Sequence, residues 1–416
     1  MISADSFFVI ILVVIAFNYL LEQFLDYLNS RNWSDVLPDE LAGIYNADEY
    51  RKSQNYTKAK QRISTILSTL SVLLILSLLH FEGFVLIDDF LRTFTENQIL
   101  LGLLFFGVIG FAADILSLPF SLYNTFVIEE RFGFNKTTVK TYVLDKLKGW
   151  LLAIILGGGV MALVIWIYTL TTSMFWVYVW LLIAVFTIFM SMFYSVLIVP
   201  LFNKQVPLAD GELRDAIEKF ASENGFKLDN IYVIDNSKRS TKANAYFSGF
   251  GPKKRIVLFD TLIKDHTVEE LVAVLAHEIG HYKKKHTISG LVVSLLQTGM
   301  MLFVLSLFIG NPLLSEALGS SNMSFHLGVL VFGILYSPVS LLLGVITNYF
   351  SRKHEFEADR FAGERYNPEA LSSALKKLSV NNLSNLRPHS LYAFFYYSHP
   401  PLLQRLKVLS HLNKRN

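Results

Sequence analysis

The residues with the clearest chemical potential are His277-Glu278-Ile279-Gly280-His281, just after the short apolar run 271–276. On a helix, two histidines four residues apart lie about 40° apart around the axis and about 6 Å apart at Cβ, so both imidazoles can reach one cation. Glu278 stands beside them, within reach of a water polarised by that cation. Amide hydrolysis needs such a base, because even a metal-polarised water must lose a proton as it attacks the carbonyl. The chain contains no cysteine, so disulfides and thiolate ligands are excluded, and histidine and carboxylate are the good ligands left. The expectation is metal-assisted hydrolysis with one Zn2+ per chain, His277 and His281 as ligands and Glu278 as base.

A third ligand is expected from the segment 348–359. At about 100° per residue, Asn348, Arg352, Glu355 and Asp359 fall near 0°, 40°, 340° and 20°, one polar stripe on one helix. Glu355 is read as the third metal ligand. Asp359, one turn on, is positioned to hold the far ring nitrogen of a ligating histidine and so to set its tautomer. Arg352 is expected to anchor Asp359 or the ligand carboxylate, and Asn348 completes the supporting stripe. Taken alone, the stripe would equally suit an exposed helix with ordinary i,i+4 charge pairs. Glu357 and His354, near 180° and 240°, project away from the stripe and are read as solvated. His80, His266, His286, His326, His389 and His411 have no ligand-like spacing.

These segments, with Tyr397-Ser398-His399-Pro400-Pro401, residues 126–135 (FVIEERFGFN) and residues 244–251 (NAYFSGFG), resemble the type I CAAX prenyl proteases, integral-membrane zinc endopeptidases. The motifs span most of the chain and occur in that family's order. The resemblance implies His277, His281 and Glu355 as zinc ligands, Glu278 as catalytic base and Asp359 as their outer partner. It puts His399 near the metal, supporting the oxyanion, and Asn244, with Ala245 and Tyr246, on a substrate-pairing strand. The implied fold is mainly α: seven membrane helices enclosing a water-filled chamber, with a cytosolic zinc-metalloprotease domain of helices and a small β-sheet at one end. Asp114, Asn124 and Glu129 would suit such a chamber. The implied activity is removal of the C-terminal tripeptide from prenylated CAAX proteins. The alternative is a broader quality-control protease acting on membrane proteins with the same site.

Composition agrees with membrane insertion. Apolar residues make up 52% of the chain and charged residues only 17%, too apolar for an ordinary soluble domain. Runs long enough to cross a bilayer begin near Phe7, Ile63, Gln98, Trp150, Trp176, Ile288 and Leu327. Basic residues alternate between the connections. Arg31, Arg51, Lys52, Lys58, Lys60 and Arg62 follow the first run, and Arg131, Lys136, Lys140, Lys146 and Lys148 follow the third. Only Arg92 lies between the second and third runs, and none in 170–175 or 310–326. Positive-inside bias therefore puts the N-terminus outside and the site in the cytosol. The first run lacks a preceding basic region and a small-residue cleavage site, so it reads as a retained helix. Four regions are expected: five spans within 1–201, a catalytic segment at 202–287, two spans within 288–350 and a second catalytic segment at 351–416. The short 310–326 connection favours a bacterial plasma membrane; in a eukaryote the place would be the endoplasmic reticulum. The expected partners are a lipidated or membrane-associated peptide or protein substrate and membrane lipid. The net charge of +3 is explained by the cytosolic loops and gives no reason to expect nucleic acid.

The long segment after the fifth run reads as a helix over 211–224 closed by Gly225, strands at 231–234, 243–247 and 255–259 with a hairpin turn at 248–252, and a motif-bearing helix at 268–285. Strands ahead of such a helix can offer an edge to an extended substrate, or simply brace the helix. Gly157-Gly158-Gly159 lacks the lysine and hydroxyl of a phosphate loop and is read as a packing site or kink. Lys283 follows the motif closely, which sets it at the membrane interface and not in a span as an intramembrane protease would require. The absence of paired repeats speaks against a transporter.

Overall fold

The computed structural model describes residues 3–171, 173–226, 231–248 and 255–414. Among them, seven helices are long and apolar enough to cross a membrane: Ala4–Ser30, Ala47–His80, Gln98–Glu129, Val139–Leu170, Phe175–Phe202, His286–Phe308 and Phe325–Arg365. They contain the seven apolar runs in order, but several extend well beyond them. The second span begins at Ala47 because Asn46 and Glu49 form a reciprocal capping box, and the Lys-, Gln- and Arg-rich stretch before Ile63 favours helix. The seventh continues unbroken through Pro338 to Arg365. The polar stripe at 348–359 is therefore the extension of a membrane helix and not a separate element.

The spans are sparsely buried against one another. Only 6–17% of the most apolar window of each is buried, far less than a helix gives up when one full stripe packs into a solid bundle. Close packing gathers at one end, where Ile11, Leu101, Phe105, Leu327 and Val331 form one cluster and Ile165, Phe175, Val179, Leu302 and Phe325 another. At this end Asp88, fully buried, binds His326 Nε2 at 2.7 Å and Arg92 Nε at 3.0 Å. Asp114 is satisfied locally, by Lys146 Nζ at 2.7 Å and Trp150 Nε1 at 2.9 Å, tying the third span to the fourth. Gly157, Gly158 and Gly159 pack against nothing within 4 Å of an added Cβ. They close a widened π-type stretch, Ala153–Gly158, which favours the kink over the packing role.

Outside the spans lies a four-stranded sheet. Strands β1 (Gln205–Pro207), β2 (Ile231–Ile234), β3 (Ala245–Ser248) and β4 (Arg255–Phe259) are arranged in the order β1-β2-β4-β3. β2 runs parallel to β4, and the other pairs are antiparallel. β1, too short to show a period, is not evident in the sequence; the hairpin tip at 249–254 lies outside the described residues. The helix Glu212–Glu223 is followed by Gly225 at φ +59°, a left-handed position that favours glycine. The core beneath the sheet draws on distant parts of the chain: Leu41, Tyr45 and Tyr50, then Ile217, Phe220 and Leu258, then Leu271, Leu275 and Ile279, then Leu371 and Leu409.

Candidate metal centre and substrate cleft

The motif helix, Val268–Lys283, starts with a capping box in which Thr267 Oγ1 accepts from Glu270 N and the Glu270 carboxylate accepts from Thr267 N. Glu270 is also held by Ser373 Oγ at 2.6 Å and Lys377 Nζ at 2.7 Å, which fastens this helix to Pro368–Asn381. The motif helix runs through the middle of the core, buried from Leu271 to Gly280 except at half-buried Glu278. It crosses the end of the seventh span at Gly280, where an added Cβ would lie 3.2 Å from Ala358 Cα and 3.2 Å from Phe361 Cβ. Ala358 and Ala362 are fully buried at this crossing. Small residues on both helices let the backbones approach closely and bring Glu355 opposite the histidines.

His277 Nε2 and His281 Nε2 lie 3.1 Å apart. Glu355 faces both, with Oε2 3.5 Å from His277 Nε2 and Oε1 3.2 Å from His281 Nε2. Among the described residues these three form the one group of histidine and carboxylate atoms close enough together to share an ion. Glu355 Oε2 is buried without a hydrogen-bond partner. Asp359 Oδ1 is 2.9 Å from His277 Nδ1, on the far side of the ring. Burial alone would lower the pKa of His277, but the carboxylates of Asp359 and Glu355 beside its ring outweigh it and push it up to about 9. Burial raises the Glu278 carboxyl above its ordinary range.

Arg352 does not serve its expected partners, Asp359 or the ligand carboxylate, and Asn348 turns the same way as Arg352. Arg352 Nη1 donates to the carbonyls of Ala393 at 3.3 Å and Tyr397 at 2.5 Å, and Asn348 Nδ2 to the carbonyl of Phe395 at 2.7 Å. Both hold the short helix Ser390–Tyr396 and the strand of chain that presents His399. The cation on Asp359 is Arg405 instead, bidentate at 2.8 and 2.6 Å, with Nη1 3.4 Å from Glu355 Oε2. Arg405 is six residues beyond His399 on the helix Leu402–Asn413. A basic residue on an amphipathic helix reads as solvated, and only tertiary folding turns it inward. His399 is well exposed, with Nε2 3.4 Å from Glu355 Oε1 and Nδ1 3.0 Å from Ser398 Oγ. The residues read as solvated also differ: Glu357 binds buried His286, and His354 stacks on the same ring.

A cleft of about 1210 Å³ opens on this group, lined by Glu278, Asn244, Ala245 and His399 and, toward the spans, by Val293 and Phe350. β3 borders it as an edge strand. Phe259 N donates to Asn244 O at 3.1 Å, so Asn244 and, by alternation, Tyr246 direct their peptide groups at β4, while Ala245 and Phe247 direct theirs at the free edge. The loop leading into β3 is braced by the 126–135 segment. Glu129 takes Tyr56 Oη at 2.7 Å and Lys242 Nζ at 3.0 Å, Asn135 bridges Ser240, and Thr241 N donates to Phe134 O at 3.1 Å. Gly133, at φ +86°, makes the turn there.

Comparison with known proteins agrees along nearly the whole chain. Residues 26–204 match the family described as CAAX prenyl protease N-terminal, five membrane helices, and residues 207–413 match peptidase family M48. The CAAX prenyl protease 1 homolog of Arabidopsis thaliana is 35% identical over 97% of this chain and 98% of its own length, and CAAX prenyl protease 1 of Saccharomyces cerevisiae is 32% identical over 97% and 96%. The crystal structure of S. mikatae Ste24p superposes with a TM-score of 0.92 at 34% identity, covering 97% of this chain and 99% of that one. With the helix pair, the histidine–carboxylate group and the seven spans all present, the chain belongs to the M48 metallopeptidases, as a multi-pass membrane protein of the CAAX prenyl protease type.

Proposed function

We propose that the protein is a zinc-dependent endopeptidase that removes the C-terminal tripeptide from prenylated CAAX proteins, with His277, His281 and Glu355 as zinc ligands. The observation that carries the metal assignment is the spacing of the donor atoms. Bonds of about 2.0–2.1 Å at tetrahedral angles set neighbouring ligand atoms about 3.3 Å apart; here the two Nε2 atoms are 3.1 Å apart, and Glu355 brings Oε1 to 3.2 Å from His281 and Oε2 to 3.5 Å from His277, with one atom from each residue within 4.8 Å of the others. Two imidazoles with one carboxylate leave a fourth position open, as catalytic sites do. A bound zinc ion supplies Lewis acidity, polarising the scissile carbonyl and the attacking water.

The chain's own residues supply the rest. Glu278, its carboxyl raised by burial, takes the proton from the attacking water and returns it to the departing amine. An extended substrate adds to the free edge of β3, exchanging main-chain hydrogen bonds with Ala245 and Phe247 while Asn244 and Tyr246 flank it. His399, exposed in the cleft with Nε2 3.4 Å from Glu355 Oε1, is the donor for developing oxyanion charge. Arg405 and Asp359 fix His277, and Asn348 and Arg352 hold the segment bearing His399. The apolar side of the cleft, with Val293 and Phe350, suits a lipid attached to the substrate. Loop charge supports a catalytic region facing the cytosol, built from segments 202–287 and 351–416 around the spans of 1–201 and 288–350. The short 310–326 connection favours a bacterial plasma membrane, with the endoplasmic reticulum as the eukaryotic counterpart.

The test is mass-spectrometric product analysis with a matched pair of CAAX peptides, farnesylated and not, with Glu278→Ala as control. Release of the last three residues from the farnesylated peptide alone is the expected result. Cleavage of both peptides at scattered bonds, still dependent on Glu278, would replace this reading with a broader quality-control protease.

A further inference from the structure

The two histidines that face Glu355 through Nε2 both have their outward nitrogen, Nδ1, occupied, but by different partners. His277 is held by Asp359. His281 Nδ1 instead lies 3.0 Å from His286 Nδ1. His286 Nε2 is in turn 3.0 Å from Glu357 Oε2, and its ring lies flat on His354, with centroids 4.0 Å apart and planes 10° apart. We propose that His286 and Glu357 are a positioning pair that fixes the cation-facing tautomer of His281, with His354 as the surface on which the His286 ring rests. The proposal rests on the reading of His277, His281 and Glu355 as a zinc site.

The order of protons along this chain follows from the partners. Two ring nitrogens share a hydrogen bond only when one carries the proton and the other a lone pair. If His281 keeps Nε2 bare for a cation, its proton sits on Nδ1 and His286 Nδ1 must accept it. The His286 proton then sits on Nε2 and points at Glu357, a carboxylate that only accepts. Every donor meets an acceptor. In the opposite order His281 would carry its proton on Nε2, into the ligand group, and a bare His286 Nε2 would face a carboxylate lone pair across 3.0 Å. Glu357 therefore selects the arrangement that frees His281 for metal, as Asp359 does for His277 through a single contact.

Backbone geometry keeps His286 in this place. Lys285 takes a left-handed conformation at φ +59°, which ends the motif helix and starts the sixth span at His286. His286 is buried at 7% exposure, while Glu357 remains partly open to solvent with a loose contact to Lys353 at 4.0 Å. Outer partners of metal-ligating histidines typically change metal affinity about 10–100-fold when removed.

The experiment measures zinc affinity of the purified full-length protein by competition with a chromophoric chelator, together with the visible absorption of the cobalt-substituted protein. His286→Ala and Glu357→Ala are each expected to weaken zinc binding about 10–100-fold and to shift the cobalt bands. His286→Gln, whose side-chain oxygen can accept from His281 Nδ1, should recover part of the loss, and Glu357→Gln should lose less than Glu357→Ala. Zinc affinity within about twofold of wild type and unchanged cobalt bands in both alanine variants would overturn the pairing. Should His286→Ala fail to fold, Glu357→Ala at its half-exposed position decides. Wild-type protein that takes up no zinc would remove the metal site itself and this proposal with it, an outcome distinct from a metal-loaded wild type indifferent to His286.

Discussion

Single side chains divide the labour at the centre sharply enough to be separated by substitution. Glu278→Ala should keep its zinc and lose about 10²–10⁴-fold in turnover, the usual contribution of a general base, whereas Glu355→Ala should lose the metal; metal analysis beside peptide cleavage distinguishes them. Arg405→Ala leaves fully buried Asp359 without its cation, a loss that costs about 3–5 kcal/mol when a buried pair is broken from one side, and thermal unfolding in detergent should show it. Because metal-free His277 holds its proton up to about pH 9, an incoming ion must displace it. Uptake should then weaken as pH falls below that value, and calorimetry in two buffers of different protonation enthalpy should detect the released proton. The sequence discloses His277, Glu278, His281, Glu355 and Asp359 as a set because helical spacing places them on shared faces. Arg405 and His286 escape it for the opposite reason: their partners come from other elements, and nothing in their local periodicity sets them apart from solvated residues.

Elements bring these side chains into register through a few contacts. Gly280 sets the separation of the motif helix from the seventh span. Gly280→Val should force the helices apart, costing about 1–3 kcal/mol by overpacking and weakening metal binding, with Gly280→Ala milder in both respects; unfolding and zinc competition report the two effects. At the β3 edge, Ala245→Pro removes an outward N–H while sparing the ladder to β4. Loss of one substrate hydrogen bond, about 0.5–1.5 kcal/mol net, should lower kcat/KM up to about tenfold without lowering zinc content. The strands 231–234 and 255–259 are evident in the sequence as short apolar runs. Their pairing is not, since β2 joins β4 in parallel and takes β1 on its other side, an order that local pattern does not encode. Span ends were equally hidden, because charged residues with good helix propensity let the helices run on past their apolar stretches.

At the scale of the whole molecule the seven spans are drawn together by the catalytic domain at one end and, away from it, by the clusters around Phe105 and Phe175 with the Asp88–His326–Arg92 group. Asp88→Asn should therefore lower thermal stability while leaving the zinc affinity of folded protein unaltered, as unfolding and chelator competition would show. Hydropathy announces the seven spans but not how few of their faces meet. The last span has a consequence of its own. Its 41 residues, at about 1.5 Å each, make a rod about 60 Å long, roughly twice the hydrocarbon thickness of a bilayer, with Pro338 about a third of the way along and Glu355 and Asp359 in the last third. If such a rod is half sunk in lipid and half in the catalytic domain, a change of membrane thickness that alters its tilt would be felt at Glu355, beside the crossing with the motif helix at Gly280. Turnover in proteoliposomes should accordingly pass through an optimum as acyl-chain length is varied, making the surrounding lipid a mechanical setting of the metal site.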